Sequence, residues 1–304
     1  MNYWEVSLMD CQIKITDNKA VWKIQAALAL IFLLNPFLGV LSTLFFVFVS
    51  KEKSMAFYLV IILTLFMWCL QSTRSFHLGE PSDWAGNYYY NFHNAAITDT
   101  LTYLFFTTKE YAWQAFNLIG YYLFDGDFLS YANFIVALTY MFTFAAIYKF
   151  WNYIQADPRF LVASLCLFAF VTEVNGICNN LLRQQFAMSM MLYAIIERCT
   201  NGRILYPLLV ISFFTHTMTG FFIPFLFIRL GKKASFRFYI YIVLGFGLLY
   251  ILFTNLSIFS SSSFYAFQRL ATASNAYALK DIIQPSAVYP FLAVTVILLS
   301  LIHI

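Results

Sequence analysis

The chain has 304 residues, of which 62% are hydrophobic, 21% aromatic and only 11% charged. That composition excludes an ordinary soluble domain, and apolar runs of roughly 17–25 residues recur at the length a helix needs to cross the hydrocarbon core of a bilayer. The net charge of +4 is accounted for by the orientation of a membrane protein, and nucleic acid is not expected as a partner.

The first residues mix Glu5, Asp10 and Asp17 with Lys14, Lys19 and Lys23. They do not read as a cleavable signal, so the chain is expected to keep them. The predicted apolar segments are 24–49, 55–72, 128–150, 159–174, 181–196, 204–228, 236–254 and 287–304. Segment 24–49 carries a break at Asn35-Pro36, which leaves open whether it crosses once or doubles back. Residues 112–124 are amphipathic and too short to span; Trp113, Tyr121 and Tyr122 suit an interfacial helix. Lys51 and Lys53, Lys149 and Arg159, Arg198 and Arg203, and Arg229 to Arg237 fill four connections, which are therefore expected in the cytoplasm. The opposite face receives the loops 73–127 and 255–286, together with the turn around Gly176.

Segment 204–228 has basic residues at both ends, so it must leave and return on one side. About 25 residues cannot make two full spans. Its centre reads Thr215-His216-Thr217-Met218-Thr219-Gly220, which predicts two short helices meeting at a polar apex that lines a cavity. The expected fold is thus all-α: a single polytopic transmembrane domain, 1–304, of about 8–10 hydrophobic helical segments, with broken helices and an extracytoplasmic interfacial helix. Cys11, Cys69, Cys166, Cys178 and Cys199 are far apart and read as small buried apolar residues. No spacing suggests a metal site, and no cofactor is expected.

Polar groups inside such a chain carry the candidate chemistry. Asn179-Asn180-Leu181-Leu182-Arg183-Gln184-Gln185 lies between two apolar stretches, and an arginine there marks a functional site unless it snorkels or pairs with Glu173. On a helix Asn179 and Asn180 share the face of Arg183. His216 at the apex is either a base or a histidine satisfied by a freed carbonyl. Between Arg74 and Asn94, residues including His77, Glu80, Asp83, Trp84, Tyr88, Tyr89, Tyr90 and His93 offer the mixture of hydrogen-bonding groups and aromatic faces that suits sugars. The tyrosines would serve equally as an interfacial anchor, and Arg74 as a partner of Asp83. Arg269 with Tyr265 is placed to hold an outer loop over the site.

Three blocks, in order along nearly the whole chain, make the sequence resemble the EpsG and Wzy-like O-antigen polymerases. They are Arg74, Gly79, Asp83 and Tyr88; Arg183-Gln184 followed by Ala187; and Phe213-Phe214-Thr215-His216. The family's compact glycine-threonine-aspartate is stretched here to Gly79-Glu80-Pro81-Ser82-Asp83, and relatives continue through further helices where this sequence reaches Ile304. The resemblance implies a glycosyltransferase in the bacterial inner (plasma) membrane. It would join oligosaccharide repeat units carried on a polyprenyl pyrophosphate at the extracytoplasmic face, to build O-antigen, capsule or exopolysaccharide. Its implied partners are that lipid-linked oligosaccharide, the bilayer, and a chain-length regulator and flippase of the same pathway. Arg183 and Arg74 would clamp the pyrophosphate, with Gln184, Asn180, Tyr88 and Arg269 as further substrate contacts. His216 would be the base and Asp83 its competitor, with no metal required. A flippase and a ligase-type transferase are the alternatives, since both handle the same lipid-linked donor.

Overall fold

The computed structural model describes residues 18–50, 53–73, 84–106, 110–170 and 181–227. All of them lie in the first of two units, Met1–Arg229; the second is Leu230–Ile304. The predicted segments 236–254 and 287–304 fall outside the described residues, as do Arg74, Asp83, Glu173, Asn179, Asn180 and Arg269.

Among the described residues the regular structure is entirely helical. Helix α1 (Asn18–Leu34) ends at Asn35, and α2 (Pro36–Ser50) begins at the proline. Proline suits the first turn of a helix, where its missing N–H costs nothing, and the Asn35 side chain accepts from Leu38 N at 3.1 Å to cap α2. Phe32 and Gly39 fix the geometry: a Cβ on Gly39 would lie 2.4 Å from the Phe32 Cα, so the two helices fold back on each other at a contact that glycine alone permits. Gln25, in the middle of α1, reaches Ser54 and Tyr58, just beyond the end of α2. The first apolar segment is therefore a hairpin.

Helix α3 (Lys53–Ser72) and the later α7 (Phe128–Ile154) are long and apolar enough to cross a membrane, with mean hydropathies of 1.9 and 1.5. Along α3, Met55, Leu59, Leu63 and Met67 are buried while Phe57, Ile61, Leu65 and Trp68 are exposed. A helix that is apolar on its inner face and on its outer face suits a lipid surround. Cys69 is exposed on that helix, and Cys166 and Cys199 are partly exposed, so none of these three is the fully buried residue the sequence suggested.

The predicted outer loop is itself folded. A π turn (Trp84–Tyr88) leads into α4 (Tyr89–Ile97), α5 (Thr100–Phe106) and α6 (Tyr111–Leu123). Their aromatic rings form a core: Trp84 packs edge-on to Phe128, Tyr88 to Trp113, and Phe92 stacks on Tyr131 at 4.8 Å. Helix α6 turns Trp113, Gln114, Asn117 and Gly120 inward and leaves Ile119, Tyr122 and Leu123 exposed, so Trp113 is a core ring and not the surface aromatic the sequence suggested. A turn at Asp125-Gly126, both at positive φ, joins α6 to α7. Asp127 then caps α7 by accepting from Leu129 N at 3.0 Å and from Ser130 Oγ at 2.6 Å; the Ser130 hydroxyl is the main reason its carboxyl lies below the usual aspartate range.

Helix α8 (Pro158–Phe170) follows, then α9 (Leu182–Asn201), which packs along α7 and against α10 (Tyr206–Thr215). After His216 the chain continues as 3₁₀ turns, Thr217–Phe227. The return leg ends beside the far end of α9, where Arg198 Nε donates to the Leu226 carbonyl at 3.1 Å. Segment 204–228 thus goes out and comes back, as its flanking charges require. At the same end of α9, Glu197 pairs with Lys149 of α7 and accepts from Asn201 Nδ2 at 2.9 Å.

Candidate functional site

Three elements converge on one carboxylate. Arg183 stands in the first turn of α9, His216 at the C-terminal cap of α10, and Glu110 immediately before α6. Glu110 Oε2 pairs with the Arg183 guanidinium at Nη1, and Glu110 Oε1 faces His216 Nδ1 at 2.8 Å. Arg183 and His216 are the two residues that sequence reasoning ranked highest for binding and catalysis, and the structure brings them together. Glu110, which joins them, was missed.

The convergence is built by packing. Phe116 of α6 meets Phe186 of α9 edge-on at 5.2 Å, and Tyr111 of α6 meets Phe214 of α10 at 5.9 Å. Ser212 of α10, fully buried, donates to the Ala187 carbonyl of α9 at 2.8 Å. Those three contacts tie each pair of elements and leave the charged ends at one corner. The apex of the hairpin satisfies its own backbone. His216 N donates to the Ser212 carbonyl at 3.0 Å, and the His216 carbonyl accepts from both the backbone N and the hydroxyl of Thr219. A helix break among packed helices requires such internal partners for the backbone groups it frees.

Electrostatics explain why the cluster is a unit. A cation in the first turn of a helix opposes the helix dipole, so the position of Arg183 does nothing for α9 by itself and calls for an anion. Glu110 sits at the N-terminal cap position of α6 but makes no side-chain cap hydrogen bond; its carboxylate is turned to Arg183 and His216 instead. An ionised carboxylate can only accept, so the facing Nδ1 of His216 carries the proton and a neutral ring keeps its lone pair on Nε2. The Arg183 side chain is 30% exposed, against 13% for Glu110 and 15% for His216. Arg183 Nε is buried with no hydrogen-bond partner among the described residues. The Arg183 side chain thus combines a partly exposed surface with a buried donor that its pair with Glu110 leaves unused.

Other predicted residues lie elsewhere. Gln184 is partly buried and its amide makes a weak, 4.0 Å contact with Met188 Sδ one turn on. Tyr88 is buried at 6% exposure in the aromatic core of the loop, so its ring is a packing element with little face left for a sugar. Tyr90, at 57% exposure, is the open member of the three tyrosines. Behind the cluster Tyr131 donates to Asn117 Oδ1 at 2.9 Å, and Tyr103 donates to the Asn91 carbonyl at 2.6 Å; burial pushes the Tyr103 hydroxyl up to about 12. A cavity of about 230 Å³ opens between α7, α8, α9 and the 3₁₀ turns, lined by Tyr140, Phe168, Met188, Leu192 and Phe222 among others. Leu192 lies nine residues beyond Arg183, half a turn out of phase, so this apolar cavity faces away from the charged cluster.

No curated protein matches the chain, and no solved structure does. A family model does match, over residues 57–304, a span that starts after the first hairpin and contains Glu110, Arg183 and His216; on that match the chain belongs to the EpsG family.

Proposed function

We propose that the chain is a membrane glycosyltransferase that polymerises polyprenyl-pyrophosphate-linked oligosaccharide repeat units at the extracytoplasmic face of a bacterial inner membrane. EpsG membership and the apolar helices support a membrane protein of polysaccharide biosynthesis. The observation that carries the finer reading is the Arg183–Glu110–His216 cluster.

The chemistry divides between Arg183 and His216. The bond that breaks joins the anomeric carbon of the growing glycan to the pyrophosphate oxygen, and negative charge accumulates on that leaving oxygen. Arg183 offers a fork of donors to it, the geometry that suits phosphate. The bond that forms joins the anomeric carbon to a hydroxyl of the acceptor repeat unit, whose proton passes to His216 Nε2. Glu110 holds the ring by Nδ1 and stabilises the imidazolium that results. The products are a glycan longer by one repeat and a free polyprenyl pyrophosphate. The guanidinium supplies the charge stabilisation at the leaving group, so the transfer is expected to proceed with divalent cations chelated.

The test is a reconstituted reaction of the purified protein with a polyprenyl-pyrophosphate-linked repeat unit, run with and without chelator. A ladder of repeats is expected from wild type. Arg183→Ala is expected to lose on the order of 2–4 kcal/mol of transition-state stabilisation, the loss typical of one preorganised charge-stabilising donor. Donor that remains unchanged with folded wild-type protein refutes the polymerase reading, and an undiminished ladder from Arg183→Ala refutes the role of the clamp.

A further inference from the structure

Among the described residues the Glu110 carboxylate is shared between Arg183 and His216, and the three side chains are unequally exposed. Arg183, the most exposed of them, is held by Glu110 Oε2; His216, half as exposed, is held by Oε1. The two contacts use different oxygens, so the loss of one leaves the other in place. We propose that Glu110 is an exchange carboxylate: an entering pyrophosphate takes the Arg183 guanidinium from it, and Glu110 keeps its contact with His216 as the positioning residue of that ring. This rests on the reading that the site takes a pyrophosphate-linked donor.

The exchange is driven by charge and geometry. A pyrophosphate diester carries two negative charges and presents oxygens to a planar fork, whereas Glu110 offers Arg183 one charge through one oxygen. The buried Nε of Arg183, which has no hydrogen-bond partner among the described residues, is a donor that the resting pair with Glu110 does not use. Once the guanidinium moves to the donor, Glu110 Oε1 keeps its contact with His216 Nδ1 and holds the ring with Nε2 available to the acceptor hydroxyl.

The experiment compares full-length wild type with Glu110→Gln, Arg183→Gln and the double variant in lipid nanodiscs. Binding of farnesyl pyrophosphate is measured by calorimetry, and polymerisation kinetics are measured on the lipid-linked repeat unit. With the competing charge removed, Glu110→Gln is expected to bind farnesyl pyrophosphate about 3–10-fold more tightly, and the gain is expected to vanish in the Arg183→Gln background. Its KM for the donor is expected to fall while kcat drops at least tenfold. A carboxylate that merely supported the fold would weaken both. Glu110→Asp keeps the charge and the fold but reaches one methylene less far, and is expected to bind the probe more tightly than wild type by a smaller factor. Affinity that is unchanged or weaker in both Glu110 variants overturns the exchange, as does a gain that persists without Arg183. If wild type makes no polymer yet Glu110→Gln tightens probe binding, the polymerase reading fails and the exchange stands; polymer with no tightening gives the reverse.

Discussion

Replacing Gly120 by alanine is expected to destabilise the junction between α6 and α7 on which the position of Glu110 depends. A Cβ at that position would lie 2.3 and 2.4 Å from two ring carbons of Tyr131, more than 1 Å inside ordinary contact. The ring has nowhere to go: Tyr131 is 2% exposed, stacks on Phe92, and donates its hydroxyl to Asn117. Overpacking of that kind costs about 1–3 kcal/mol, and displacing the ring adds roughly 1 kcal/mol for the hydrogen bond. Alanine recovers about 1 kcal/mol through its better helix propensity. The net expectation is a loss of about 1–3 kcal/mol. In soluble domains of 150–250 residues each kcal/mol moves Tm by about 2–4 °C, so a drop of several degrees is expected from thermal unfolding in detergent. In a Tyr131→Leu background the same substitution should cost at least 0.5 kcal/mol less, because the clashing ring is gone. A Gly120→Ala protein that melts within a degree of wild type, or above it, would refute the contact and with it the argument that α6 is held in place from behind.

Other expectations concern single contacts. Ser212→Ala removes a buried hydroxyl that ties α10 to α9, at a cost of about 0.6 kcal/mol in a membrane setting; chemical denaturation should register it, and activity should fall because His216 moves with α10. Glu197→Met leaves Lys149 without its carboxylate; breaking such a pair costs about 3–5 kcal/mol when fully buried, discounted here to about 2 because Lys149 is partly exposed, and the Lys149→Met/Glu197→Met double variant should recover most of the loss. Asp127→Ala removes the cap of α7 and should cost about 0.5–2 kcal/mol at neutral pH. The Asp127 carboxyl is held below its ordinary range, so its contribution is complete above that range and is lost as pH falls through the lowered value. The stability difference between wild type and Asp127→Ala should therefore shrink below about pH 4.

Much of this arrangement was legible in the residues, for reasons that differ by position. Arg183 and His216 stood out because each interrupts an apolar run, and the charges flanking 204–228 forced a chain that turns back on itself. The break at Asn35-Pro36 does not by itself distinguish one crossing from a hairpin, because the deciding contact, Phe32 lying over Gly39, joins two unremarkable residues. Glu110 was invisible for a related reason. It follows Lys109 in a polar stretch, reads as a surface charge, and lies 73 and 106 residues from the partners it meets. The aromatic loop misled in the other direction. Tyr88 and Trp84 have the composition of a sugar platform, yet their burial makes them the core of a small helical layer; composition counts rings and does not say which face is covered.

The turn at Asp125-Gly126 divides the chain so that Glu110 lies on one side while Arg183 and His216 lie on the other. A gene cut at that exposed turn would yield two polypeptides, each inert, whose association alone completes the cluster. Recovery of activity on co-expression would then act as a complementation signal for assembly of the helices within the bilayer. The site can serve as its own reporter of folding, because neither half carries all three of its groups.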